Sequence, residues 1–231
     1  MCILCQNPKC LINHCTPEWQ QKIIGSGRMP VYPKGQNIFM EGSLVMGAYF
    51  VLKGKVKIIS SNLNGKAQTV RLAKEGHILG HTAIGPEKYC VGAVTLEDSE
   101  ICFVDNQTLQ EAFLENPKFT FEVMQFYSKE LRKSEIRTKC FAMMNNEEKV
   151  ILGLLYIADT YMKEVEANFV TINLNRQEIA QIIGTNPEQV SRVLTSLKKD
   201  RLIDLKERAI IVKDITALKE LISQYCFALE C

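Results

Sequence analysis

Residues 175–199, NRQEIAQIIGTNPEQVSRVLTSLKK, constrain the fold of this chain more than any other stretch. Ile179, Ala180, Ile182 and Ile183 recur at helical spacing until Gly184 stops the pattern. A reversal this tight favours a left-handed backbone, which glycine adopts without a Cβ clash. A second helix is predicted from Pro187, with Asn186 as N-cap and Gln189 three residues on in a capping-box arrangement. Val190, Val193, Leu194 and Leu197 form its inward stripe. The opposite face carries Glu188, Gln189, Ser191, Arg192, Thr195, Lys198 and Lys199. A second helix that shows short polar groups and an Arg near its start is the helix-turn-helix design. Arg presents a fork that matches guanine O6 and N7, Glu accepts from cytosine N4, and Ser is small enough to meet a thymine methyl. Residues 201–213 read as a wing, with Asp204–Arg208 as a charged turn between two short strands. From 171 to 213 there are eight Lys/Arg and five Asp/Glu, a local net charge of +3 against +2 for the 231-residue chain. That excess suits a polyanionic partner.

Upstream the texture is different. Short β-type runs at Ala48–Leu52, Val56–Ser60, Thr69–Leu72, Val91–Leu96 and Ile101–Val104 alternate with turn signals. Those turns fall at Gly35, Glu41-Gly42, Gly54, Asn64-Gly65, Glu75-Gly76, Gly80 and Gly85-Pro86, the pattern of a closed or rolled antiparallel β domain. Residues 107–144 then read as helix, with Asn116 as N-cap and Pro117 at the first position of the longest part. Along it Met124, Tyr127, Leu131, Ser134, Thr138 and Phe141 repeat at coiled-coil spacing, a predicted homodimer seam. Asn145-Asn146 interrupts the pattern. Helix is predicted again from Glu147 to Met162 and, after the wing, from Thr216 to Leu229, while Thr16 is placed to cap a short helix from Pro17. The predicted organisation is therefore α+β, with a Cys-rich segment (1–17), a sensor domain (18–116), a dimerisation helix (117–145) and a DNA-binding domain (146–231).

Composition is that of an ordinary globular protein, 46% apolar and 23% charged. The longest apolar run, Ile151 to Ala158, is far short of a bilayer span, so no membrane partner is expected. No basic region followed by an apolar stretch opens the sequence, and a cytoplasmic, reducing setting is expected. The chain lacks a P-loop, G-x-S-x-G and H-E-x-x-H, and its three His, at 14, 77 and 81, pair visibly with no nucleophile, so no enzyme is expected.

The β domain with its GHILG segment at 76–80, the long helix and the motif RQEIAQIIGTNPEQVSRVL resemble the CRP/FNR superfamily of bacterial transcription regulators over residues 20–213. The resemblance implies a cyclic-nucleotide-binding-like β-roll, a homodimer built on the long helix, and a C-terminal winged helix-turn-helix on double-stranded DNA, with RNA polymerase as a further partner. Glu188, Ser191 and Arg192 match the E-x-x-S-R pattern of FNR-type members. That implies Glu188 and Arg192 on a central G·C pair, Ser191 near an outer thymine, and a palindrome of TTGA-like half-sites. Arg176, Gln177 and Thr185 match positions that commonly touch phosphates. With Asn186, Gln189 and Lys198 they complete the expected DNA-binding set. The family's cAMP binders carry a Glu after the cassette glycine and an Arg-Ser pair about ten residues later. Here His81 follows Gly80, the later positions read Val91-Gly92 or nearby, and no Arg lies between Arg71 and Arg132, so cAMP is not expected. Gly80, His81, Thr82, Ser134 and Thr138 remain the candidate effector pocket.

Cys2, Cys5, Cys10 and Cys15 give C-x2-C-x4-C-x4-C, a set of thiols able to surround zinc or an iron–sulfur cluster. FNR-type members use a comparable group plus a distal Cys for an oxygen-sensitive cluster. The spacing differs here, and Cys90, Cys102 or Cys140 stands as the alternative fourth ligand. His14 is a further zinc donor. Heme through His77 or His81, with Met40 and Met46 near in sequence, is a third route, and labile thiols without native metal a fourth. The expected signal is redox state, oxygen or nitric oxide. An unidentified small molecule in the β-roll is the alternative, as is a ligand-binding module acting through protein partners.

Overall fold

The computed structural model describes residues 8–26, 29–61, 67–80, 87–162, 168–207 and 209–228. The chain divides into two compact units, residues 1–129 and 130–231.

The first unit starts with a 3-10 turn, Leu11–His14, and α1 (Pro17–Ser26). The Thr16 hydroxyl accepts from the Trp19 N–H at 3.4 Å, as its capping role predicts. The strands follow as β1 (Val31–Tyr32), β2 (Asn37–Phe39), β3 (Gly47–Lys53), β4 (Val56–Ser61), β5 (Ala67–Ala73), β6 (Ile78–Leu79), β7 (Gly92–Thr95) and β8 (Ser99–Asp105). They form two four-stranded antiparallel sheets, ordered β1-β8-β3-β6 and β2-β7-β4-β5. Side chains alternate across a strand, so the first sheet feeds two cores. Val51 and Ile101 join Val56, Ile58 and Ala93 of the second sheet inside the roll. Ala48, Phe50, Cys102 and Val104 face the other way, onto Leu11, Trp19 and Ile23. Each fully buried Val, Leu, Ile or Phe among them stabilises by about 1.5–3 kcal/mol. The Asn64-Gly65 and Gly85-Pro86 turns lie outside the described residues.

Helices α2 (Asn106–Glu115) and α3 (Pro117–Met143) follow. Phe119 and Val123 of α3 are buried in the same core as Trp19. Asn116 corrects the sequence expectation. Its side chain does not serve α3 as an N-cap. Nδ2 donates to the Ala112 carbonyl at 3.0 Å, and Oδ1 accepts from the Thr16 N–H at 2.9 Å, across a hundred residues. Beside it, Trp19 Nε1 donates to Glu115 Oε2 at 3.0 Å. The N-terminal segment is thus pinned to the junction at which α3 begins.

The second unit holds the later turns of α3, then α4 (Asn146–Tyr161), β9 (Val170–Ile172), α5 (Arg176–Ile183), α6 (Pro187–Lys199), β10 (Ile203–Lys206), β11 (Ala209–Val212) and α7 (Ile215–Leu221). Asn145, at the predicted boundary, starts α4 with a full capping box. Its Oδ1 accepts from the N–H groups of Glu147 and Glu148, and Glu148 Oε2 accepts from the Asn145 N–H at 2.8 Å. Gly153 of α4 sits where Ile183 of α5 crosses it, and a Cβ there would come within 2.6 Å of that side chain. Strand order is β10-β11-β9, so the wing hairpin gains a third strand that the sequence did not signal. Asp204, Leu205 and Lys206 belong to β10 rather than to the turn, where Glu207 stands at φ 50° and Arg208 lies outside the described residues. The predicted terminal helix is also shorter: α7 stops at Leu221 and a 3-10 turn, Ser223–Ala228, replaces the rest. Among the described residues no helix is long and apolar enough to cross a membrane.

Candidate nucleic-acid interface

Helices α5 and α6 form the two-helix unit that the sequence implies. Asn175 caps α5 in a capping box with Glu178, and Gly184 ends it at φ 74°, in the left-handed region. Asn186 Oδ1 accepts from the Gln189 N–H at 2.9 Å, one half of the predicted box, and Pro187 takes the first helical position, where its missing N–H costs nothing. The inward stripes are buried as predicted: Ile179, Ala180, Ile182 and Ile183 on α5, and Val190, Val193, Leu194 and Leu197 on α6.

With one side of α6 fixed in the core, the other has one orientation left. Glu188, Ser191, Arg192, Thr195 and Lys198 are exposed, and Gln189 is half-buried. Glu188 and Arg192 stand one turn apart, about 6 Å along the axis. Gln177 and Asn186 are exposed, and Arg176 and Thr185 are half-buried at the start of α5 and in the turn. All nine expected DNA-binding residues therefore reach solvent from one helix-turn-helix. The Thr195 hydroxyl donates to the Ser191 carbonyl at 2.8 Å, which turns it back onto the helix. Sequence reasoning left out Lys213. Its ammonium lies 3.8 Å from Asp204, and Lys198 of α6 approaches the same carboxylate at 3.6 Å. The Leu205 N–H, with both lysines adding, holds the Asp204 carboxyl below its ordinary range. The strand register that faces Asp204 toward Lys213 is not readable from residue spacing alone.

The expected effector residues fall in both units and partly outside the described residues. Gly80 is buried in the first unit, and a Cβ there would approach the Tyr89 ring at 3.0 Å. Ser134 and Thr138 belong to the second unit and are exposed, the Thr138 hydroxyl donating to the Ser134 carbonyl. His81 and Thr82 lie outside the described residues. Among the described residues, aromatic side chains fill part of the interior of the roll. Phe39 stacks on Tyr89 at 4.3 Å and on Tyr49 at 5.2 Å within that core, and the Tyr89 hydroxyl donates to the Gly47 carbonyl. Burial raises the pKa of both tyrosines. Arg71 donates to the Ile78 carbonyl at 2.8 Å, with its guanidinium 5.8 Å from the Phe126 ring.

Cys10 and Cys15 are buried in the core with Leu11, Trp19 and Cys102, and burial pushes the Cys15 thiol up to about 12. Cys2 and Cys5 lie outside the described residues. Among the described residues no three His, Cys, Asp or Glu converge on a point that could hold a metal ion. Cys10 and Cys15 pack within that largely apolar core. Cys140 is buried and Cys90 exposed, while His14 is half-buried in the 3-10 turn. His77 meets Phe126 edge-on at 5.6 Å, whereas Met40 and Met46 are exposed.

Of the predicted seam, Met124, Leu131, Ser134 and Thr138 are exposed and Phe141 half-buried. Tyr127 differs. It packs on the core of its own unit, and burial pushes its hydroxyl up to about 12. Phe121, one turn before Met124, is exposed in its place.

Residues 30–116 match the family model of a cyclic nucleotide-binding domain, and residues 148–221 that of a Crp-like helix-turn-helix domain. The anaerobic regulatory protein of Bacillus subtilis is 25% identical over 178 residues, 76% of this chain and 75% of that protein. The cyclic AMP receptor protein of Thermus thermophilus is 23% identical over 212 residues, 91% and 95% of the two chains. Among solved structures, FixK2 from Bradyrhizobium japonicum shares the fold with a TM-score of 0.74 at 20% identity, over 84% of this chain and 96% of that one. Two matched domains in this order, together with relatives that are regulators and not enzymes, place the chain in the CRP/FNR superfamily of transcription regulators, with a helix-turn-helix DNA-binding domain.

Proposed function

We propose that the chain acts as a homodimer that reads palindromic DNA with TTGA-like half-sites, through Glu188, Ser191 and Arg192, in response to a signal other than cAMP. The observation that carries this reading is the exposure of those three side chains opposite the buried stripe of α6. The dimer reading is supported by Phe121, Met124 and Leu131, each more than half exposed on α3 although apolar. Two copies joined there would present two recognition helices to successive major grooves. Contact with RNA polymerase belongs to the same proposal by family likeness.

For the signal we infer redox state, oxygen or nitric oxide, read by the Cys-rich N-terminal segment. Relatives named for anaerobic regulation support that class. So does the pinning of the segment onto Glu115 and Asn116, at the start of α3. Cys10 and Cys15 must leave the core to meet any oxidant or metal, so the docked segment and the reactive thiols exclude each other. Thiol chemistry would thereby loosen the base of α3. A second reading is a small-molecule effector in a cleft of about 190 Å³ beside Gly76 and His77, lined by Lys9, Lys74 and Lys129 as well as by Glu75 and Glu122.

Selection of bound duplexes from a random pool tests the DNA reading. Enrichment of a two-fold palindrome with a fixed G·C pair is expected, and enriched half-sites without one would refute the role of Arg192. Anaerobic purification with absorption spectroscopy and metal analysis tests the signal. Charge-transfer bands mean a cluster and a Soret band means heme. A blank spectrum with no metal leaves thiol chemistry, checked by oxidation-dependent DNA binding.

A further inference from the structure

The matched helix-turn-helix region ends at residue 221, yet the chain continues and folds back. Ile222 is fully buried, and the 3-10 turn Ser223–Ala228 follows. Gln224 Nε2 donates to Glu148 Oε1 at 2.7 Å, and the Tyr225 hydroxyl donates to Glu148 Oε2 at 3.3 Å. That carboxylate already has a task. Its Oε2 accepts the Asn145 N–H at 2.8 Å and so closes the capping box with which α4 begins. Only Met144 and Asn145 separate α3 from α4. The tail therefore holds the carboxylate that fixes the backbone of a two-residue joint.

We propose that the segment after Leu221 is a latch on the α3–α4 joint, with Glu148 as the positioning residue that ties the tail to the helix cap. A carboxylate has about four acceptor sites, enough to hold the cap and the tail together. Swinging α4 away from the end of α3 turns the Asn145 backbone and strains its bond to the carboxylate that Gln224 and Tyr225 hold in place. The latch thus holds the winged helix at one angle to the end of the long helix. Its consequence for DNA binding rests on the function proposed above, whereas the latch itself rests on these contacts.

Hydrogen–deuterium exchange on the full chain tests it. In a Gln224→Ala/Tyr225→Phe variant the amides of Asn145, Glu147 and Glu148 should exchange about three- to tenfold faster, with those of α5 and α6 unchanged. Gln224→Lys keeps an attraction to Glu148 and should exchange as wild type, whereas Gln224→Glu opposes two carboxylates and should exchange faster. Unchanged exchange in the double variant, or equal exchange in the Lys and Glu variants, would overturn the latch. Duplex binding by fluorescence anisotropy is the second arm. Affinity should fall about threefold or more in the double variant with base preference intact, because the competent angle is less populated. Faster exchange with unaltered affinity would overturn the latch as a control on binding. A wild-type chain that binds no duplex would refute the DNA reading instead, and the exchange arm would still decide the latch.

Discussion

Arg192 and Leu194 stand two residues apart on α6 and answer to different physics. Leu194 is 0% exposed, so truncation to Ala leaves a cavity and should cost about 2–5 kcal/mol of stability, measured by chemical denaturation. Arg192 is exposed, and Arg192→Ala should leave stability within about 0.5 kcal/mol. Its loss should appear in binding, at about 1–3 kcal/mol with discrimination relaxed at one base pair. A third residue, Cys15, gives a pH signature. Its thiol is held near 12 in the fold against an ordinary 9.0. The folded state therefore keeps a proton that the unfolded state releases. The stability this contributes is complete below pH 9, falls between about 9 and 12, and is gone above. Alkylation at pH 8 should label exposed Cys90 well before Cys15, with peptide mass spectrometry as the readout.

At the scale of elements, what could be read in the sequence depends on how local the cause is. The α5–α6 unit was legible because cap, stop and stripe all lie within twenty-five residues, and each is a short-range effect. The capping boxes at Asn145 and Asn175 were equally local, and N-x-x-E at 145–148 and 175–178 would have announced them. Asn175→Ala should lower the melting temperature through a loss of about 0.5–2 kcal/mol, seen by calorimetry. Asn116 was misread because its partner, Thr16, is a hundred residues away, and no periodicity reports such a bond. Strands β1, β2 and β6 escaped for a related reason. At two or three residues they owe their state to the neighbours they pair with, not to their own pattern. The wing turn was drawn too wide because Asp204 looks like a turn residue and is in fact paired with Ile211.

For the whole molecule, two measurements address how the parts act together. Affinity for duplex should fall with salt, and Lys198→Gln should reduce the slope of log K against log salt by about 1, one phosphate contact fewer. Leu131→Glu places a charge on the exposed apolar face of α3 and should shift sedimentation toward the monomer at micromolar concentration. The reading face was legible in advance because all its members sit on one helix-turn-helix. The sensor is not legible in the same way, because its candidate residues are spread along the chain, with Cys10 and Cys15 in a core, Gly80 in the first unit and Ser134 and Thr138 in the second. The strict partition of α6, every apolar group inward and every proposed base reader outward, has an evolutionary corollary. Substitutions at 188, 191 and 192 are nearly invisible to folding, so target preference is able to drift by single steps. A lineage carrying this scaffold could acquire new operators without first passing through a misfolded ancestor.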